Sequence, residues 1–175
     1  AYKRGISFAM KKFNPDLLLQ MDADGQHDAK LIPEFINLSN NGFSLVIGSR
    51  FVPGGKTPDF SILRKFLSIT GNFLIRHLGK ATNVKDCTSG FRCIKTDLVL
   101  KCDLENFSTR GYSFQSTLVC ELIRNGAKPI EVPIIFKKRM SGQSKLTLRD
   151  QIEFLVNITK ITYRYSEDFI KYCLV

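Results

Sequence analysis

Leu17-Leu18-Leu19-Gln20-Met21-Asp22-Ala23-Asp24-Gly25-Gln26 decides the architecture and carries the first chemistry. The run from Leu17 to Met21 is short and almost wholly apolar, as a strand buried on both faces is. Two carboxylates one residue apart follow it at once. Upstream, Asn14-Pro15 breaks a helix over 1–13 that carries Ile6, Ala9 and Met10 on one face. Downstream, Asp28 is placed to cap a helix running to about Asn40, with Leu31, Ile32, Phe35, Ile36 and Leu38 inward. Asn41-Gly42 ends that helix, and 44–48 reads as a second buried strand. Helix, strand, helix, strand is built most economically as a parallel sheet with crossover helices.

Further along, 51–60 is a polar loop with Pro53, Gly54, Gly55 and Pro58, and 61–79 is a long helix apolar over much of its surface. A turn at 88–90 leads into a strand at 91–94. A helix over 112–125 is stopped by Gly126, and a strand at 130–136 is interrupted by Pro133, hence at an edge or bulged. Basic loop 137–145 and a helix from Thr147 complete the order. The 175 residues suffice for one domain with a hydrophobic core. Both ends read as interior to a longer protein.

A formal net charge of +10 calls for a polyanionic partner. Nucleic acid is set aside, because no aromatic RNA-binding strand or zinc-finger spacing is present. The five cysteines, with no C-x-x-C pair, suit buried thiols in a reducing compartment. No signal peptide is visible, and no apolar run reaches the roughly 18–20 residues that a membrane span needs.

In open parallel sheets, ligands gather at the carboxyl ends of strands. There Asp22 and Asp24 can converge, with Gln26 adding a neutral oxygen. Such oxygens suit Mg²⁺ or Mn²⁺, whose remaining ligands would be substrate phosphates and water; the plainer alternative is an acidic turn. Three basic positions can meet an anion or stand as solvated charge. These are Arg50 in Gly48-Ser49-Arg50, Arg64 one helical turn from Ser68, and the loop 137–145 with Arg139, Gly142 and Lys145. Asp86-Cys87-Thr88-Ser89-Gly90-Phe91-Arg92 is a compact polar turn, either structural or part of a site. His27 reads as a neighbour of the metal loop or a surface residue rather than a base.

Taken in order, these motifs, with Tyr112-Ser113-Phe114-Gln115 and Arg139-Met140-Ser141-Gly142-Gln143-Ser144-Lys145, resemble the family 2 glycosyltransferases of GT-A fold. Within that family the likeness is to polyprenyl-phosphate glycosyltransferases of the dolichyl-phosphate mannose synthase type. The resemblance implies an α/β fold, a mostly parallel sheet with helices on both faces. It also implies a nucleotide-reading strand–helix–strand unit ahead of residue 1, a partial catalytic domain over 1–165, and a run-in to a membrane domain over 166–175.

The resemblance further implies site roles. Asp22, Asp24 and Gln26 would hold the metal, and Arg139 and Lys145 would clamp the departing diphosphate. Asp86, Ser89, Gly90, Arg92, Gln115 and Ser144 would form the donor and sugar pocket. Arg50, Arg64 and Ser68 would bind the acceptor phosphate. The expected reaction is inverting transfer of a sugar, mannose first, from a nucleotide-sugar such as GDP-mannose to polyprenyl (dolichyl) phosphate. Its expected location is the cytoplasmic face of a membrane.

One departure bears on the acceptor. Where many relatives carry a carboxylate after Phe114-Gln115, this chain has Ser116 and Thr117, with Glu121 a turn later. An alcohol acceptor needs a base, whereas a phosphate monoester, with a second pKa of about 6, is already a nucleophile at neutral pH. The missing acid favours a phosphate. The rivals are an alcohol-acceptor enzyme using Glu121 and a non-catalytic membrane-docking homologue. Two basic apolar stripes suit a membrane surface or packing on the sheet. One lies on helix 61–79; the other is Leu155, Ile158, Ile161 and Tyr165 with Lys160 and Arg164.

Overall fold

All four strands read from the sequence form, and one of them runs against the others. The computed structural model describes residues 2–107 and 111–137, together with Val156 and Thr159. The elements are α1 (Tyr2–Phe13), β1 (Leu17–Gln20), α2 (Ile32–Asn40), β2 (Leu45–Ser49), α3 (Ile62–Leu78), β3 (Arg92–Lys95), α4 (Thr96–Lys101), α5 (Gly111–Arg124) and β4 (Pro129–Pro133). Strand order in the sheet is β1-β3-β2-β4. β2 and β4 pair in parallel, while β3 lies antiparallel between β1 and β2.

Three strands therefore share a direction, as a mostly parallel sheet requires, but β1 and β2 are not neighbours. The segment 79–91 after α3 carries the chain back to the end of the sheet where β1 and β2 finish, so β3 enters reversed. The loops after β1, β2 and β4 and the turn before β3 consequently meet at one end of the sheet. That reversal brings a motif preceding its strand together with motifs that follow theirs.

Strand alternation divides the core. Leu45, Ile47 and Ile94 face Ile75, Val99, Leu118 and Leu122 on one side. Val46 and Cys93 face Phe35, Phe91 and Ile134 on the other, which α2 covers. Helices thus lie on both faces. Asp28 caps a 3₁₀ turn (Ala29–Leu31), accepting from the Lys30 backbone N–H at 3.0 Å, rather than α2 itself, which starts after it with Leu31 at its N-cap, no side-chain cap bond, and Pro33 in the first turn.

β4 is an edge strand with a proline at each end. It stops at Pro133 rather than running to Phe136, because proline offers no N–H to continue the ladder. The chain beyond bridges to Lys56 instead, through Lys56 N to Ile134 O and Phe136 N to Lys56 O, both 2.9 Å. Helix α4, six residues directly after β3, has no counterpart in the sequence reading. The loop from 138 to 145, with Arg139, Ser144 and Lys145, lies outside the described residues. So does the stripe of Leu155, Ile158, Ile161 and Tyr165.

Candidate functional site

Asp22 and Asp24 follow β1 in a tight loop that closes on itself. The Asp22 backbone N–H donates to His27 Nδ1 at 3.2 Å, and the Gln26 N–H donates to Asp24 Oδ1 at 3.1 Å. Because His27 accepts at Nδ1, its neutral form carries the proton on Nε2. Burial lowers its pKa, opposed by the nearby Asp22 and Asp24 charges. The ring stacks on Phe91 and tilts against Phe136. His27 is thus a loop fastener, in keeping with its reading as a neighbour of the carboxylates rather than a base.

Tyr2, which the sequence reading passed over, donates its hydroxyl to Asp22 Oδ1 at 2.7 Å from the first turn of α1. Burial and the adjacent carboxylate push the phenol pKa up to about 12, so it keeps its proton and donates. Opposite, Gly90 leaves room for the carboxylate: a side-chain carbon there would lie 3.1 Å from Asp22 Oδ2. Among the described residues no hydrogen-bond donor reaches that oxygen, and no Lys or Arg forms an ion pair with Asp22.

Carboxylate oxygens are the donors a hard divalent cation takes, and Asp22 and Asp24 are one residue apart on this loop. No third His, Cys, Asp or Glu joins them among the described residues. A cation held by Asp22 and Asp24 would take its remaining ligands from phosphate oxygens and water. Gln26, buried, donates its side-chain amide to Lys137 O at 2.7 Å. That bond ties the carboxylate loop to the first residue of the basic loop.

Arg50, directly after β2, is committed to Asp86. Its Nε and Nη2 donate to the two Asp86 oxygens at 2.7 Å each, its backbone N–H donates at 3.0 Å, and Nη2 also reaches Thr88 Oγ1 at 2.7 Å. Asp86 is fully buried and Arg50 nearly so. Burial alone would raise the Asp86 pKa; the Arg50 charge and hydrogen bonds outweigh it and hold the carboxyl below its ordinary value. Glu131 on β4 accepts from the Lys85 and Asp86 backbone N–H groups and so anchors the turn.

The rest of this turn faces inward. Ser89 donates to Gly48 O at 2.6 Å. Arg92 is fully buried, donating to Gln115 O, Gln115 Oε1 and Cys87 O; burial pushes its pKa down to about 10, so it stays cationic at neutral pH. Asp86, Ser89, Arg92 and Gln115 were expected to line a sugar pocket. Most of their polar atoms bond to one another or to backbone, while Arg92 Nε and Gln115 Nε2 are buried without a hydrogen-bond partner among the described residues.

Helix α3 turns its polar side inward. Ser61 caps it, accepting from the Arg64 N–H at 3.2 Å. Arg64 and Ser68 share a stripe with buried Asn72 and Ile75. Asn72 donates to Ser68 O and Thr88 Oγ1 and accepts from the Cys87 N–H, which pegs α3 to the Asp86 turn. The outer side of the helix is apolar and solvent-facing: Ile62 is 91% exposed, with Leu63, Phe66, Ile69 and Phe73 also exposed. Of the two stripes, the one on α3 therefore leaves these side chains off the sheet. Among the described residues no helix is long and apolar enough to cross a membrane.

No acid replaces the missing carboxylate on α5. Ser116 and Thr117 are buried and return their hydroxyls to Ser113 O at 3.1 and 2.8 Å. Glu121 lies six residues past Gln115, about 9 Å along the helix axis, where it pairs with Arg124 at 3.8 Å.

A sequence model described as glycosyl transferase family 2 matches residues 1–102. The chain is 34% identical to an undecaprenyl-phosphate mannosyltransferase of Micrococcus luteus over 160 residues, 91% of this chain and 65% of that protein. It is 35% identical to a polyprenol monophosphomannose synthase of Mycolicibacterium smegmatis, over 84% of this chain and 55% of that one. It is 31% identical to a dolichol-phosphate mannosyltransferase of Pyrococcus furiosus, over 91% of this chain and 45% of that one. The chain therefore spans between about half and two thirds of the length of these relatives.

Proposed function

Since the chain belongs to glycosyl transferase family 2, we propose that it forms most of a catalytic domain transferring a sugar from a nucleotide-sugar to a polyprenyl phosphate. The observation that carries this reading is α3. It presents a cation and a hydroxyl, Arg64 and Ser68, on the side pegged to the Asp86 turn, and an apolar surface on the other. A lipid phosphate needs both at once: a charged site for its head and a greasy approach from the bilayer. The names of the three relatives support the acceptor class and make mannose the leading sugar. GDP-mannose is accordingly the first donor to test.

The chemistry asked of the protein is then modest. A phosphate oxygen of the acceptor attacks the anomeric carbon, and the bond to the diphosphate breaks with its electron pair on the leaving group. One displacement inverts the centre. No base is needed, which agrees with the hydroxyls of Ser116 and Thr117 being turned to their own helix. A Mg²⁺ or Mn²⁺ at Asp22 and Asp24, with Gln26 beside them, would neutralise charge on the diphosphate. Arg139 and Lys145, in a loop that Gln26 tethers at Lys137, would add to that neutralisation.

Arg50 contributes charge while remaining on Asp86, since releasing a buried carboxylate is costly. Arg64 is then the acceptor's principal ligand. The exposed α3 face and the +10 charge suit an anionic membrane surface, and the four described cysteines, buried free thiols, suit its cytoplasmic side. An alcohol acceptor is disfavoured because Glu121, the carboxylate that would serve as its base, is buried and paired with Arg124 at 3.8 Å. A non-catalytic docking role leaves the fastened carboxylate pair without a purpose.

The test is steady-state kinetics of Arg64→Ala in the full-length protein. The expected result is a raised KM for polyprenyl phosphate, about tenfold or more, with donor KM nearly constant. Damage to donor binding alone would refute the acceptor assignment.

A further inference from the structure

The two arginines expected at the acceptor phosphate are held in different ways, and Phe60 stands between them. Arg50 is fixed by its edge, with two guanidinium nitrogens on Asp86. Arg64 is held by its face: its guanidinium carbon lies 3.9 Å from the centre of the Phe60 ring. The Arg50 guanidinium lies 6.0 Å from the same ring. Phe136 meets Phe60 edge-on at 5.8 Å and is itself 5.4 Å from Arg50, so the ring is supported from behind.

Phe60 immediately precedes the Ser61 cap of α3. A residue there ordinarily packs against the fourth helical position, which is Lys65, but here the ring takes the third, Arg64. Stacking uses the π face of a guanidinium and makes no use of its in-plane N–H donors, the ones that bind phosphate. It also orders a long side chain before the ligand arrives, so less freedom is lost on binding.

We propose that Phe60 is a positioning residue for the acceptor phosphate, holding Arg64 by its face and setting its place relative to Arg50. The inference rests on the acceptor reading above and adds a residue to it.

The experiment compares Phe60→Leu, Phe60→Met and Phe60→Tyr in the full-length protein, alone and with Arg64→Ala. Both polyprenyl phosphate and donor are varied, and direct binding of farnesyl phosphate is measured by calorimetry. Phe60→Leu and Phe60→Met are expected to raise acceptor KM and the farnesyl phosphate Kd about fivefold or more. Donor KM and kcat stay near the parent values, Phe60→Tyr restores affinity, and Phe60→Leu adds nothing once Arg64 is alanine.

A raised acceptor KM in Arg64→Ala with none in Phe60→Leu or Phe60→Met overturns the role of Phe60 alone. So does an effect of Phe60→Leu that persists without Arg64, or one that lowers kcat and alters both KM values together. An unchanged acceptor KM in Arg64→Ala overturns the underlying acceptor reading as well.

Discussion

Replacing Arg50 by alanine strands a carboxylate that has no route to solvent. Asp86 is fully buried and takes four hydrogen bonds: the Arg50 Nε and Nη2, the Arg50 backbone N–H and the Thr88 hydroxyl. The substitution leaves the last two and removes both charge-assisted ones, each worth roughly 1.5–3 kcal/mol. Breaking a buried pair from one side costs about 3–5 kcal/mol in general, and that is the expected loss. Arg50→Lys restores charge without a fork that spans both carboxylate oxygens, so it recovers only part. Adding Asp86→Asn to Arg50→Ala removes the stranded charge and is expected to recover about 1–3 kcal/mol.

The same pair fixes a pH dependence. The Asp86 carboxyl is held below its ordinary value in the folded state, against about 3.9 when unfolded. Its contribution is therefore complete above that pH and is lost as pH falls through the folded-state value. The gap in stability between parent and Arg50→Ala should shrink in acid. Urea unfolding of the full-length protein across pH 3–7 reads all of this. A cost below about 1 kcal/mol at pH 7, or no recovery from Asp86→Asn, would show that the pair is solvent-screened and the reasoning wrong.

Tyr2→Phe removes the hydroxyl from Asp22 and is expected to weaken Mn²⁺ binding about tenfold by calorimetry, while Asp24→Asn abolishes both binding and transfer; unchanged affinity in either counts against a metal on this loop. Gly55→Ala would set a carbon 2.7 Å from the Arg50 backbone carbon and oxygen, atoms that cannot swing away. It should cost about 1–3 kcal/mol in thermal unfolding, and a loss under 0.5 kcal/mol would deny that close approach. Binding to anionic vesicles should fall as salt rises, since screening acts within about 8 Å at physiological ionic strength, and should fall further in Phe66→Glu. Equal binding to neutral vesicles would remove the membrane role of α3.

Periodicity and composition made most of the elements legible, because a buried strand or an amphipathic helix writes its pattern locally. The apolar run at 17–20 and the edge status forced by Pro133 appear where the sequence puts them, while Asp28 caps a 3₁₀ turn just ahead of the helix it was expected to start. The reversal of β3 was not legible, since strand direction depends on how far segment 79–91 travels after α3. Helix α4 is too short to show a period.

The site was legible as residue types and opaque as partnerships. Arg50 and Asp86 were each singled out but assigned to different ligands; 36 positions apart, nothing local shows that they neutralise each other. Asn72 could have been found by extending the Arg64 and Ser68 stripe by one more turn. Glu131 could have been found as the only acid in an otherwise apolar strand. Tyr2 and Phe60 gave no such signal, because an aromatic at a helix start reads as core until its neighbour is seen.

Radiolabelled transfer reads directly whether the acceptor is a lipid phosphate. The full-length protein is supplied with labelled GDP-mannose, with other nucleotide-sugars in parallel, and either polyprenyl phosphate or the corresponding free polyprenol. Label is expected in lipid with the phosphate acceptor only, mannose best, and transfer is expected to be lost when Mg²⁺ and Mn²⁺ are chelated. Label appearing on the free alcohol, with none on the phosphate, would contradict a lipid-phosphate acceptor.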